Sequence, residues 1–207
     1  MTALTVPDAA ERSDLGAFIA RVVRLDQMAA VRLRAVDDRV VAWASTPFDA
    51  LATRSVHGVL DPADVTVPAA GLLTALTVDR AGTVDPGTGG LWQGELPPED
   101  GWRPVDEVPA AELEGLTERG LALARENAGP LGPPASLLDQ TVLTVTAESG
   151  PAVKVPLRCL FALSGMGFLG GEGGAVRVSA TGTWMRLDAR YGAVVRRRIT
   201  GLPLLVT

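Results

Sequence analysis

The sequence predicts an α+β fold with mixed or antiparallel sheets and a few helices. Three observations carry this. An apolar stripe at helical spacing opens the chain, alternating runs joined by short polar turns lie both early and late, and one phrase occurs twice. Asp64–Leu73 aligns without gaps on Ala152–Phe161, each a short strand ending in Val-Pro and leading into an apolar helix. A strand and a four-residue turn precede each copy, Asp61-Pro-Ala-Asp in the first and Glu148-Ser-Gly-Pro in the second. The unit is strand, turn, strand, helix, and its recurrence predicts a pseudo-two-fold internal duplication.

The elements follow in order. With Ser13 as N-cap, Leu15, Phe18, Ile19 and Val22 recur at i, i+3, i+4 and i+7 and predict a helix ending near Leu25. Alternation over Val31–Ala35, the Asp37-Asp38 turn and the run Val40–Ser45 predict a hairpin, and Leu51–Leu60 a further strand. Pro68 and Pro156 stand at the first position of the repeated helices, where a missing N–H costs nothing. Thr83–Gly101, rich in Gly, Pro and Asp, reads as a long loop with a short strand at Leu91–Glu95. Glu107–Asn127 predicts a long helix with Leu113, Leu116 and Leu123 on one face, stopped by Gly129-Pro130. A three-strand meander closes the chain at Ala175–Ser179, Thr183–Asp188 and Ala193–Ile199, turning at Tyr191-Gly192. The chain reads as a single domain, residues 1–207, with candidate halves 1–130 and 131–207 joined at the prolines Pro130–Pro134.

Composition narrows the chemistry. The 207 residues include one His, one Cys, one Tyr and one Lys, the residues that most often serve as base, nucleophile or metal ligand near neutral pH. A 47% hydrophobic content excludes wholesale disorder, and an aromatic share of 4% leaves Leu, Val and Ala to fill the core. Arginine outnumbers lysine 18 to 1, the drift of a GC-rich genome. Residues 1–100 carry 8 Arg against 14 acids, whereas residues 175–207 carry 6 Arg against Asp188 alone. Opposite charges meeting within the fold or between subunits account for this asymmetry, because a chain of net charge −5 repels polyphosphate overall. The N-terminus lacks the basic and apolar regions of a secretory signal, and a lone cysteine makes no intrachain disulfide, so a cytoplasmic, membrane-free protein is expected.

Several motifs have a structural and a functional reading. Gly165-Met-Gly-Phe-Leu-Gly170 fits a dinucleotide fingerprint, yet follows a predicted helix instead of opening one, so it reads as a connection. Pro156–Ser164 with Val176–Leu187 could form a winged helix for DNA, although Arg158 is that helix's one basic residue. His57 and Cys159 could pair as base and thiol, but Cys159 lies in an apolar helix where cysteine packs as a small hydrophobe. The pairs Asp37-Asp38, Glu99-Asp100 and Asp106-Glu107 sit in turns or at a helix start, and carboxylates from distant segments could still converge for hydrolysis or Mg²⁺. No metal or other cofactor is expected. Arg196 and Arg198 face one side of a strand and Arg197 the other. Trp92 and Trp102, set among prolines, form either a partner surface or a clamp that holds the long loop to the core.

Gly101-Trp-Arg-Pro-Val-Asp-Glu-Val-Pro-Ala-Ala-Glu-Leu, Met166-Gly-Phe-Leu and Trp184-Met-Arg-Leu together resemble an uncharacterised family of actinobacterial proteins across residues 28–198. The resemblance implies no activity and supplies no functional residue. The expected function is therefore a non-enzymatic interaction module with a protein partner or a second copy of itself, and nucleic acid is not expected as a partner. Its candidate binding residues are Trp92, Trp102, Trp184, Arg186, Arg196 and Arg198. DNA binding by the C-terminal helix and wing, and a carboxylate- or metal-dependent hydrolase, are the alternatives.

Overall fold

The computed structural model describes residues 2–78, 82–130, 132–147, 152–170 and 173–198. An antiparallel sheet of eight strands carries helices on one face. The first half supplies β1 (Ala3–Thr5), α1 (Ala9–Leu25), β2 (Ala30–Val36), β3 (Arg39–Thr46), β4 (Ala50–His57), β5 (Val59–Asp61), β6 (Asp64–Pro68), α2 (Ala69–Val78) and β7 (Thr83–Val84). Then come β8 (Arg103–Pro109), α3 (Ala110–Glu126), α4 (Ala135–Leu138), β9 (Thr141–Val145), β10 (Val153–Pro156), α5 (Leu157–Gly165), β11 (Ala175–Ala180), β12 (Trp184–Ala189) and β13 (Gly192–Arg197).

The sheet order is β6-β2-β3-β4-β13-β12-β11-β8. Outward from the central β4–β13 pair, each arm is a three-strand meander followed by an edge strand that leads directly into a helix. The sequence strand, helix, meander likewise occurs twice, as β1-α1-β2-β3-β4 and β10-α5-β11-β12-β13. The two meanders join through Thr53 opposite Ala193 and Leu51 opposite Val195. The strand-turn-strand-helix unit is also present twice, as β5-β6-α2 and β9-β10-α5. Its copies differ in pairing: β5 pairs β1 and β6 pairs β2, whereas β9 and β10 pair each other. The turn Glu148–Pro151 lies outside the described residues.

Alternation along the strands divides the sheet faces. Val31, Leu33, Val40, Ala42, Ala52, Val56, Val178, Leu187 and Val194 are buried towards the helices, where they meet Leu15, Phe18 and Ile19 of α1 and Leu160 and Leu163 of α5. Phe18 stacks on Phe168 with ring centroids 6.2 Å apart, which ties α1 to the segment after α5. Leu4, Leu60 and Val84 of the small β5-β1-β7 sheet close one end of this core, and Val145, Val153 and Val155 of the β9–β10 hairpin add to it.

Several local expectations are corrected. The N-cap of α1 is Asp8, whose side chain accepts from the Glu11 N–H at 2.8 Å, so the helix begins a full turn before Ser13. Leu51–Leu60 is two strands, separated at Gly58. Leu91–Glu95 forms no strand, so Trp92 lies in a loop; Glu107–Pro109 belongs to β8, not to the following helix. The buried face of α3 is Ala110, Leu113, Thr117, Gly120 and Ala124, while Leu123 is exposed. The winged-helix reading also falls: Leu157–Leu163 of α5 are all buried, so that helix has no face to place in a DNA groove.

The outer sheet face and its strap

The face of the sheet away from the helices is rich in arginine and tryptophan. Trp43 and Trp184 are buried there with Val195, and Val41 and Leu51 pack beside them. Residues 85–102 cross this face as a strap. Trp92, Leu96 and Trp102 of the strap pack on the same cluster. Gly90 is the close approach: its N–H donates to Thr66 O at 3.1 Å, and a Cβ there would lie 2.8 Å from the Val67 backbone. The indole N–H of Trp102 donates to Pro98 O at 2.9 Å and closes the strap on itself. Ion pairs add to the apolar anchors: Arg197 holds Glu95, and Arg34 reaches Glu99 at 3.0 Å. The Arg197 guanidinium also lies 5.3 Å above the Trp184 ring.

Beside the strap lies a basin of about 690 Å³. Pro97, Pro98, Glu99 and Trp102 wall it, Val41, Trp43, Thr53 and Ala193 belong to its sheet floor, and Arg34, Arg39, Arg177, Arg186 and Arg190 line it too. Arg186 donates through Nε to Asp188 at 2.7 Å, and Arg177 through Nε to Glu107 at 3.4 Å. Arg39 donates to Ser55 Oγ at 2.7 Å and to His57 Nε2 at 2.8 Å, and Arg190 lies 5.5 Å over the Tyr191 ring. Among the described residues no carboxylate pairs with Arg39 or Arg190. Thr53 is 3% exposed and its Oγ1 has no hydrogen-bond partner, a cost of about 1–3 kcal/mol for a buried polar group.

The six sequence-selected residues do not form one site. Trp92, Trp102 and Trp184 share the outer cluster, and Arg186 lines the basin next to it. Arg196 turns to the opposite sheet face. There it donates to Asp49 O at 3.0 Å and Asp49 Oδ2 at 2.8 Å, within a group that includes Asp139 and the buried Arg158. Arg198 donates to Thr181 O and Ala152 O, each at 3.0 Å, and so bridges the β11–β12 turn and the residue before β10. Trp43, Thr53 and Arg39 were not singled out by sequence. Alternation in β3 does place Trp43 on the face away from Val40 and Ala42, whereas its position opposite Thr53 comes from the β3–β4 register.

The singletons have separate surroundings. His57 Nδ1 donates to Glu11 Oε1 at 2.7 Å while Nε2 accepts from Arg39, one consistent tautomer. The hydrogen bond from His57 holds the Glu11 carboxyl below its ordinary range despite partial burial. Cys159 is fully buried, and desolvation pushes its thiol up to about 12, so it meets neither His57 nor solvent. Asp64, at the sheet edge, is held below the ordinary carboxylate range by its hydrogen bond from Arg32. Asp106 bonds the Glu107 N–H at 2.8 Å, and no group of three or more His, Cys, Asp or Glu converges among the described residues.

A doubled strand-helix-meander unit around one antiparallel sheet is an arrangement similar to that of the DNA polymerase sliding clamps. The chain matches pol III beta of Caulobacter crescentus with TM-score 0.61 at 14% identity, covering 98% of this chain and 67% of that chain. The Bacillus subtilis clamp gives TM-score 0.61 at 14% identity, with coverage of 98% and 65%, and the DNA polymerase III subunit beta of Pseudomonas aeruginosa 0.59 at 12%, with 98% and 65%. The chain thus spans about two thirds of the length of these clamps. By sequence, residues 97–201 match a family described as domain of unknown function (DUF8185), and the chain belongs to that family. Residues 1–93 match a second domain of unknown function (DUF8010), so the two matched regions meet within the strap. No curated protein matches.

Proposed function

We propose that this chain is a non-enzymatic protein-interaction module built on a clamp-like fold, which works on a protein partner or a second copy of itself. The observation that carries the reading is the outer sheet face, where an arginine-lined basin opens beside the half-buried Trp102 of the strap, residue types enriched at protein contact surfaces. The fold likeness to polymerase clamps raises DNA as the second reading. A DNA-tracking surface needs a concentration of positive charge to replace counterions. The helix layer instead carries six arginines and six carboxylates over α1–α5, and on the outer sheet face Glu95, Glu99, Glu107 and Asp188 meet Arg197, Arg34, Arg177 and Arg186, which supports the protein reading. A cytoplasmic location goes with it: the sole cysteine is a buried thiol, and among the described residues no helix is long and apolar enough to cross a membrane.

Light scattering over a range of concentrations, with cross-linking to added partners, tests the module. Concentration-dependent mass or a stoichiometric partner complex is expected. A strictly monomeric chain that shifts a DNA duplex at low salt, with mobility restored as salt rises, would overturn it.

A further inference from the structure

We propose that the basin beside the strap is a docking site for a carboxylate-rich segment of a protein partner. This rests on the interaction-module reading and names the partner's chemistry.

The strap itself shows how this sheet face recognises a peptide. Between Leu91 and Trp102 the chain alternates acidic and apolar groups, and the sheet receives both. Glu95 meets Arg197, Glu99 meets Arg34, and Leu96 with the two tryptophans packs against Trp43 and Trp184. The basin continues the same surface past Glu99 and Trp102; of the arginines that line it, Arg34, Arg54, Arg177 and Arg186 each meet a carboxylate, whereas Arg39 and Arg190 do not. Arg190 has no carboxylate partner among the described residues and Arg39 is held by Ser55 and His57 instead of an acid, while Arg177 and Arg186 engage their carboxylates through Nε alone, which leaves their terminal N–H groups for a ligand. A planar guanidinium fork suits a carboxylate that approaches in its plane.

A second feature is independent of charge. Thr53 lies on the basin floor between Trp43 and Ala193, almost wholly buried, with its hydroxyl unpaired. A ligand carbonyl or carboxylate seated on the floor supplies the acceptor it lacks. The apolar wall of Pro97 and Trp102 and the presence of Glu99 and Asp188 favour a peptide with spaced carboxylates over a continuous polyphosphate.

The test is fluorescence anisotropy with the full chain and a fluorescein-labelled peptide that repeats Glu-Leu-Pro-Pro-Glu-Asp, the phrase at residues 95–100. A single-stranded oligonucleotide of equal length and inorganic phosphate serve as competitors. Saturable peptide binding is expected, weakened about tenfold or more by Arg186→Glu with Arg190→Glu. The milder Arg190→Ala, at an exposed position, guards against a folding artefact and should weaken it about threefold. Arg119→Glu on α3 should leave it unchanged. Absence of saturable binding up to millimolar peptide at low salt, indifference to both basin variants, or stronger binding of the oligonucleotide or phosphate would each overturn the proposal. Self-association seen in light scattering without peptide binding removes the acidic-segment site alone, whereas a monomer that binds DNA removes the module reading.

Discussion

Gly192 is the position at which one added methyl should most clearly disturb both sheet and basin. It opens β13 with φ +157°, and a Cβ there would lie 2.5 Å from Phe168 Cζ and 2.9 Å from Thr53 O. Carbon atoms in contact settle near 3.5–4.0 Å, so the overlap with the ring is about 1 Å. Phe168 cannot give way freely, being fully buried and stacked on Phe18, and Thr53 O belongs to the strand that joins the two meanders. Overpacking of this kind costs about 1–3 kcal/mol, and the positive φ adds about 1–2 kcal/mol for any residue with a Cβ. Gly192→Ala should therefore lose about 2–5 kcal/mol, a large part of a typical 5–15 kcal/mol stability. With a urea slope of about 2 kcal/mol/M, the midpoint should fall by about 1–2.5 M. Gly16→Ala is the matched control: it lies within α1 with nothing near the added carbon, and should gain about 0.5–1 kcal/mol. A Gly192→Ala midpoint within 0.5 M of the parent would refute the claim that β13 and the Phe168 segment are packed without slack.

Two further predictions concern titration. Cys159, with its thiol raised to about 12 by burial, should resist Ellman's reagent at pH 8 in the folded chain and react promptly in denaturant; fast native reaction would place it at the surface. Glu11 has a folded pKa below its unfolded one, so its contribution to stability is complete above the unfolded value and disappears as pH falls through the folded value. Urea midpoints for the parent and Glu11→Gln should accordingly differ at pH 7 and converge towards pH 3; a constant difference across that range would count against the His57–Glu11 bond.

What was legible in the sequence came from local periodicity. The β2–β3 hairpin, the closing meander and the α1 stripe follow from alternation and 3.6-residue spacing, and they sit close to where the pattern puts them. The opposite facing of Arg196 and Arg197 is the same rule applied to one strand. β8 escaped because it is an edge strand, mostly exposed, with prolines at 104 and 109 and acids between them, features that protect an edge and erase alternation. The early start of α1 escaped because its first turn, Ala9-Ala10-Glu11, buries no apolar side chain. Leu123 misled for another reason: α3 meets α5 through small residues, and a Cβ on Gly120 would lie 2.3 Å from Leu157 Cδ1.

The sequence by itself determined the class of fold, the doubling of a short unit, and a scarcity of histidine, cysteine, tyrosine and lysine that directs attention to arginine, tryptophan and carboxylates. Alternation and composition are properties of neighbouring residues, so they can be read without knowing where the chain goes. Tertiary structure alone decided that β4 pairs with β13, that Trp43 lies under the same strap as Trp184, and that Arg39, Arg186 and Arg190 share one basin. Those relations join residues more than a hundred positions apart, and the pairing of strands and burial of faces that create them are fixed by the packing of the whole sheet.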